Sequence, residues 1–148
     1  MCTQSRHVFL SVLLIVFTGT AFSSSSKDCS NATLEGAFGF SLSGKNIALN
    51  GEYVLVGRFE ADGKGEYKGA GSQSANGRVA RGEFSGTYTV NADCTGSAEI
   101  TFAKTGVKAQ LDFVLVNDGN EIYLIDVGGK TAEFGQAKRL FFRKKPTK

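Results

Sequence analysis

The sequence predicts an all-β protein, and specifically an eight-stranded antiparallel up-and-down β-barrel. Turn sequences recur about every 10 to 15 residues, and apolar and polar residues alternate between them. No stretch combines a helical period with a capping residue. The 148 residues include one proline, Pro146, so no strand ladder is interrupted.

Glycine-containing turns separate eight segments of the chain. Asn-Gly and Asp-Gly favour tight hairpins because both central positions of the preferred turn have positive φ. The turns are predicted at Asn50-Gly51, Asp62-Gly63, Asn76-Gly77, Asn91 to Gly96, Thr105-Gly106, Asp118-Gly119 and Gly128-Gly129. Short hairpin connections favour a meander that closes into a barrel, since closure removes exposed strand edges. A β-sandwich is the alternative.

Within the segments between the turns, apolar and polar residues alternate, as they do in strands with one buried face. Phe84, Tyr88 and Val90 share one parity, whereas Thr87 and Thr89 have the other. An eight-stranded barrel is either filled by its side chains or holds one small ligand. The candidates for lining a ligand cavity are Phe40, Tyr53, Phe59, Tyr67, Phe84, Tyr88, Phe102 and Phe113.

The first 23 residues have the layout of a secretory signal peptide. Arg6 and His7 precede ten uncharged residues, 8–17, and small residues follow. A stable membrane anchor needs about 20 apolar residues, so a tethering helix is the weaker alternative. We therefore expect a secreted or periplasmic protein. Residues 24–33 form an N-terminal segment, 34–143 a single barrel domain and 144–148 a basic tail.

Removal of the signal peptide leaves Cys29 and Cys94 as the remaining cysteines and removes the one histidine, His7. In an oxidising compartment an even number of cysteines favours a disulfide, which would tether the N-terminal segment. A two-cysteine metal site is a poor alternative because structural zinc takes four ligands. The sequence predicts neither a metal site nor a cofactor, and it excludes Ser-His-Asp and Cys-His catalysis.

Asp126 is the one candidate catalytic residue. It shares the parity of Ile122 and Leu124, so we expect it to point inward near the barrel mouth. A carboxylate in an apolar cavity has a raised pKa and can act as a general acid or base. The alternative is a strand-end residue beside the turn at Gly128-Gly129.

Two surface features bear on partners. Residues 138–148 contain no acidic residue, and their basic side chains form either a weak contact with anionic surfaces or a solvated terminus. These side chains are Lys138, Arg139, Arg143, Lys144, Lys145 and Lys148. Outward apolar residues predict a contact surface for another protein or a second copy of the chain. They are Val54, Val56, Val114 and Val116. We expect no binding of nucleic acid.

Four segments carry a resemblance: LEGAFGFSLSG, GRFEADGKGEYKG, FSGTYTVNADCTGSAEITF and LDFVLVNDGNEIYLI. The chain resembles small exported bacterial proteins with an allene-oxide-cyclase-like, or calycin-like, β-barrel, over most of its mature length. The resemblance implies the barrel fold and an apolar cavity. The first functional hypothesis is therefore a barrel that binds a small hydrophobic ligand. The alternatives are an extracellular or envelope interaction or inhibitor protein, and a cyclase or isomerase acting by cavity shape.

Overall fold

The computed structural model describes residues 28–47 and 50–141. The described residues form one 3₁₀ turn, Asn31–Leu34, and eight strands. The strands are β1 (Gly36–Asn46), β2 (Gly51–Ala61), β3 (Glu66–Ala75), β4 (Arg78–Val90), β5 (Thr95–Phe102), β6 (Lys108–Val116), β7 (Glu121–Asp126) and β8 (Thr131–Arg139). The predicted signal peptide, residues 1–23, lies outside the described residues. So do Arg143, Lys144, Lys145 and Lys148.

Each strand pairs antiparallel with the next one in sequence, and β1 also pairs with β8 to close the barrel. In the closing ladder Phe38 lies opposite Arg139, and Asn46 lies opposite Thr131. The predicted eight-stranded up-and-down barrel is confirmed, and the alternative sandwich is not formed. Within residues 28–47 and 50–141, no helix has the length and apolar character needed to cross a membrane.

The connections fall at the predicted turns. Between β3 and β4, Asn76 and Gly77 form a two-residue loop with φ of 49° and 78°. Asp118 and Gly119, between β6 and β7, also have positive φ. Such turns match the right-handed twist of the flanking strands, which explains why the hairpins close without long loops.

The strand alternation places apolar side chains inside the barrel. Phe84, Tyr88 and Val90 are 8%, 6% and 9% exposed, and Phe38 is fully buried. Phe38 and Ala137, which are 0% and 1% exposed, lie toward the end of the barrel where β1 begins and β8 ends, which we call the closed end. The end where β1 ends and β8 begins is called the mouth.

The closed end is covered by residues 29–35, which we call the plug. Leu34, in its 3₁₀ turn, is 4% exposed and packs into the apolar core. The Asn31 Oδ1 atom accepts a hydrogen bond from the Val90 backbone N–H at 2.8 Å. The Tyr88 hydroxyl donates to the Asn31 carbonyl at 3.2 Å. The plug is therefore joined to β4 through both its backbone and its side chains.

The plug is also joined covalently to the barrel. Cys29 and Cys94 form a disulfide, with Cα atoms 5.0 Å apart and a sequence separation of 65. Cys94 lies in the turn between β4 and β5 and has a φ of 68°. The predicted disulfide is confirmed in the structure, and it fixes the start of the barrel domain to its middle hairpin.

Arg139, the last residue of β8, holds the other side of the plug. Its Nη2 atom donates to the carbonyl oxygens of Thr33 at 2.8 Å and Gly119 at 3.1 Å. Its Nη1 atom donates to the Glu35 carbonyl, and its Nε atom donates to Asn120 Oδ1 at 3.0 Å. The guanidinium also lies 4.6 Å above the centroid of the Phe38 ring. One arginine thus satisfies several acceptors that the strand ladders leave without partners.

Candidate functional site

The barrel interior contains an unfilled cavity of about 440 Å³. Leu34 of the plug lies at its floor, and the cavity extends to the loop residues around the mouth, including Thr105 and Lys130. An eight-stranded barrel is narrow enough for side chains to fill it completely. The open space therefore results from the particular residues that line the interior of this barrel.

An aromatic wall covers the side of the cavity formed by β1 to β5. Its rings contact one another in a chain, with centroid distances of 5.7 Å for Phe40 and Phe84 and 5.8 Å for Phe59 and Tyr67. Phe84 and Phe102 continue the chain at 6.4 Å. Edge-to-face contacts of this kind stabilise aromatic pairs beyond the area that they bury. The wall is therefore a connected, ordered surface.

Inward-facing glycines allow these rings to lie against the barrel wall. A Cβ atom at Gly57 would come within 2.5 Å of the Phe40 ring, and one at Gly69 within 2.6 Å of the Phe84 ring. Each ring occupies the place that a side chain on the neighbouring strand would take. These glycines of β2 and β3 thus help to leave the centre of the barrel open.

Aliphatic side chains form the opposite wall, on β6 and β7. Leu111, Ile122 and Leu124 are buried and face the cavity. The cavity is therefore lined by flat aromatic rings on one side and by branched aliphatic chains on the other.

All eight aromatic residues proposed from the sequence lie around this cavity. They are Phe40, Tyr53, Phe59, Tyr67, Phe84, Tyr88, Phe102 and Phe113. Contact of these residues with a ligand stays a prediction. The tyrosine hydroxyls are already engaged: Tyr67 donates to the Glu99 carbonyl at 3.2 Å, Tyr88 to Asn31, and Tyr53 to Glu133. Burial, the largest cause in each case, raises the pKa of all three hydroxyls.

A polar cluster lies inside the mouth, consisting of Tyr53, Asp126, Thr131 and Glu133. All four line the cavity. Asp126 points inward as predicted, and its Oδ1 atom accepts a hydrogen bond from the Gly128 backbone N–H at 2.9 Å, so it also stabilises the adjacent turn. A catalytic role for Asp126 stays a prediction.

Glu133 was not singled out in the sequence, although it is a central member of the polar cluster. Burial, the largest cause, and the nearby charge of Asp126 raise the pKa of its carboxyl group, which the hydrogen bond from Tyr53 partly offsets. The signal that could have found it is its parity with Gly135 and Ala137, which are both buried. Its position places a second carboxyl group beside Asp126 on the inner side of the mouth.

Replacing Glu133 with glutamine is expected to change how stability depends on pH. A raised carboxyl pKa stabilises the folded protein fully below the ordinary glutamate value of 4.5, and this contribution is lost as pH rises through the folded pKa. Since glutamine does not ionise, Glu133→Gln should gain stability relative to the wild type as pH rises above the ordinary glutamate value of 4.5. Thermal unfolding across this range measures the difference.

The matched control for this experiment is Glu52→Gln, because Glu52 is exposed on the outer face near the same end of the barrel. Its melting temperature should follow the wild-type curve at every pH. A constant difference between Glu133→Gln and the wild type across the pH range would contradict the raised pKa.

One part of the prediction for basic residues is corrected by the structure. Arg139 is not available to an anionic surface because its guanidinium is bound to carbonyl oxygens of the plug and the β6–β7 turn. Lys138 is exposed, with its Nζ atom 3.8 Å from Glu121. Of the two described basic residues in the predicted set, Lys138 and Arg139, only Lys138 remains available for a contact with an anionic surface.

The outer face carries more apolar residues than the sequence prediction included. Val54, Val56 and Val114 are exposed as expected, while Val116 is half-buried. Phe134 is 60% exposed, and its ring stacks on that of Tyr123 at 6.5 Å. A homo-oligomer or a protein partner at this face stays a prediction.

Comparison with known proteins supports the fold. No family model and no curated protein matches the sequence. A solved redesigned β-barrel, mFAP1, bound to DFHBI, is similar with a TM-score of 0.55 and 14% identity, covering 74% of this chain and 97% of that one. A de novo designed fluorescence-activating β-barrel gives a TM-score of 0.47 and 14% identity, over 72% and 93%. The likeness to mFAP1 shows the barrel fold alone.

Proposed function

We propose that this protein binds a small, largely apolar molecule inside its barrel and that it does so outside the cytoplasm. The observation that supports the proposal most strongly is the unfilled cavity of about 440 Å³ between the aromatic wall and the aliphatic wall. Apolar cavities of this size, with a few polar groups at one end, are typical of small-molecule sites.

The arrangement of the two barrel ends supports binding through the mouth. The plug, the disulfide and Arg139 seal the closed end. Residues around the mouth, such as Lys104 and Thr105, are exposed and border the cavity. A ligand would therefore enter with its apolar part first and keep any polar group near the polar cluster.

Two further observations agree with the proposal. The redesigned barrel mFAP1, which has the same fold, holds DFHBI. The disulfide fits an oxidising compartment, and the signal-like first 23 residues fit export. A secreted or periplasmic binding protein accounts for the disulfide and for the signal-like N-terminus.

Ala109→Phe is expected to abolish binding of an apolar probe. Ala109 lies on β6 near the mouth and faces the cavity, so a phenyl ring at this position would occupy the space that the ligand needs. The dissociation constant for N-phenyl-1-naphthylamine, measured by its fluorescence, should rise by at least about tenfold. Native mass spectrometry of the purified wild type would reveal a ligand retained from the cell.

The control for this substitution is Gln110→Phe, which adds the same ring to the outer face one residue away. It should bind the probe as the wild type does, and circular dichroism should show intact strands in both variants. Unchanged binding in Ala109→Phe would place the probe outside the barrel and contradict the proposal.

A further inference from the structure

Three inward side chains at the mouth, those of Tyr53, Asp126 and Glu133, present hydrogen-bond acceptors to the cavity. The Tyr53 hydroxyl uses its hydrogen in the bond to Glu133, so only its oxygen lone pairs face the cavity. Asp126 and Glu133 accept hydrogen bonds and, when ionised, cannot donate them. A ligand group that contacts these three side chains would donate hydrogen bonds to them.

Several of these acceptors have no protein donor. Asp126 uses Oδ1 for the Gly128 N–H, and Glu133 uses Oε2 for Tyr53. Among the described residues, the other carboxylate oxygen of each has no hydrogen-bond partner, and the ion pairs involve neither residue. The buried Thr131 Oγ1 atom likewise makes no hydrogen bond within the described part of the chain. Of these atoms Thr131 Oγ1 is the buried one, and a buried polar atom without a partner costs free energy that a bound ligand would recover.

The basic residues around the mouth do not donate hydrogen bonds to these acceptors. Arg81, Lys104, Lys108 and Lys130 border the cavity, but all four are exposed to solvent. Lys108 donates to Glu99 at 2.7 Å on the outer face. Because exposed charges are well solvated, the partly buried carboxyl groups exert the stronger influence on a group inside the mouth.

We infer that the ligand is a cationic amphiphile, whose apolar body lies in the cavity and whose protonated amine donates hydrogen bonds to Asp126, Glu133 and Thr131. This inference rests on the proposed function, because it requires that the cavity bind a ligand. The positive charge of the amine compensates the two carboxylates, and its hydrogens reach the acceptors that the protein leaves free.

Three naphthalene probes that differ in the head group test the inference. At neutral pH, 2-(1-naphthyl)ethylamine is a cation, 2-(1-naphthyl)ethanol is neutral and 1-naphthylacetate is an anion. Their dissociation constants are measured by titration with the full mature protein. The amine is expected to bind about tenfold more tightly than the alcohol, because it forms a charge-assisted hydrogen bond. The acid should bind most weakly.

Glu133→Gln should remove most of the preference for the amine over the alcohol, measured as the ratio of the two dissociation constants. The control Glu52→Gln removes the same charge from the outer face and should keep the preference. This pair separates a direct contact at the mouth from a change in the overall charge of the protein.

The possible outcomes distinguish the two proposals. Equal binding of the amine and the alcohol, or tightest binding of the acid, overturns the head-group inference while the cavity remains the binding site. A preference for the amine that survives in Glu133→Gln overturns it as well. If the wild type binds neither these probes nor N-phenyl-1-naphthylamine, the proposed function fails together with the inference.

Discussion

Cys94→Ser is expected to lower the free energy of unfolding by roughly 4 kcal/mol, the chain-entropy value for closing a loop of 65 residues. For a domain of this size the melting temperature should fall by on the order of 10 °C. The loss arises because the unfolded chain gains freedom and because the plug is no longer held beside the β4–β5 turn. Thermal unfolding followed by circular dichroism measures it.

Reduction of the wild type provides the matched control for this substitution. The reduced protein should melt near the temperature of the Cys94→Ser variant, since both lose the same link. A reductant should leave the melting temperature of the variant itself unchanged. An unchanged melting temperature in Cys94→Ser would contradict the stabilising role of the disulfide.

Arg139→Met is expected to destabilise the protein by about 3 kcal/mol. The substitution leaves the carbonyl oxygens of Thr33, Glu35 and Gly119 without their charged donor, and it removes the contact of the cation with Phe38. Chemical denaturation measures the change in stability. Hydrogen exchange should also become faster at the Val90 amide, which is bonded to Asn31 in the plug.

Lys138→Met is the control for Arg139→Met, because Lys138 is the neighbouring basic residue and forms only an exposed ion pair. Its effect should stay within about 0.5 kcal/mol. Arg139→Lys should recover little of the loss, since an ammonium group cannot reach several acceptors in the directions that the guanidinium serves. Equal effects at positions 138 and 139 would refute the role assigned to Arg139.

Most of the fold could be predicted from the sequence because its determinants are local. Turn dipeptides such as Asn76-Gly77 specify tight hairpins, and the parity of Phe84, Tyr88 and Val90 specifies which face is inside. Once every connection is a hairpin, closure of the barrel follows from the need to pair the outer strands. The disulfide followed from the number of cysteines and the signal-like N-terminus.

The arrangement of the candidate site was less predictable because it depends on contacts between distant residues. Glu133 acquires its environment from Tyr53, which is 80 residues away in sequence. Arg139 is bound to residues of the plug 104 and 106 positions earlier, so a basic residue that looked solvated is internal. The open centre depends on which glycine lies beneath which ring, as with Gly57 and Phe40. The strand register determines which glycine lies beneath which ring. The alternation of residues along a single strand does not reveal it.

The position of Arg139 has a consequence for the order in which the chain assembles. The plug lies near the start of the chain, but one of its anchors is the last residue of the last strand. One side of the plug is therefore anchored only once the last strand has paired into the barrel. The contacts of the plug with β4 and Cys94 involve earlier parts of the chain, so Arg139 is the last of its anchors in sequence order.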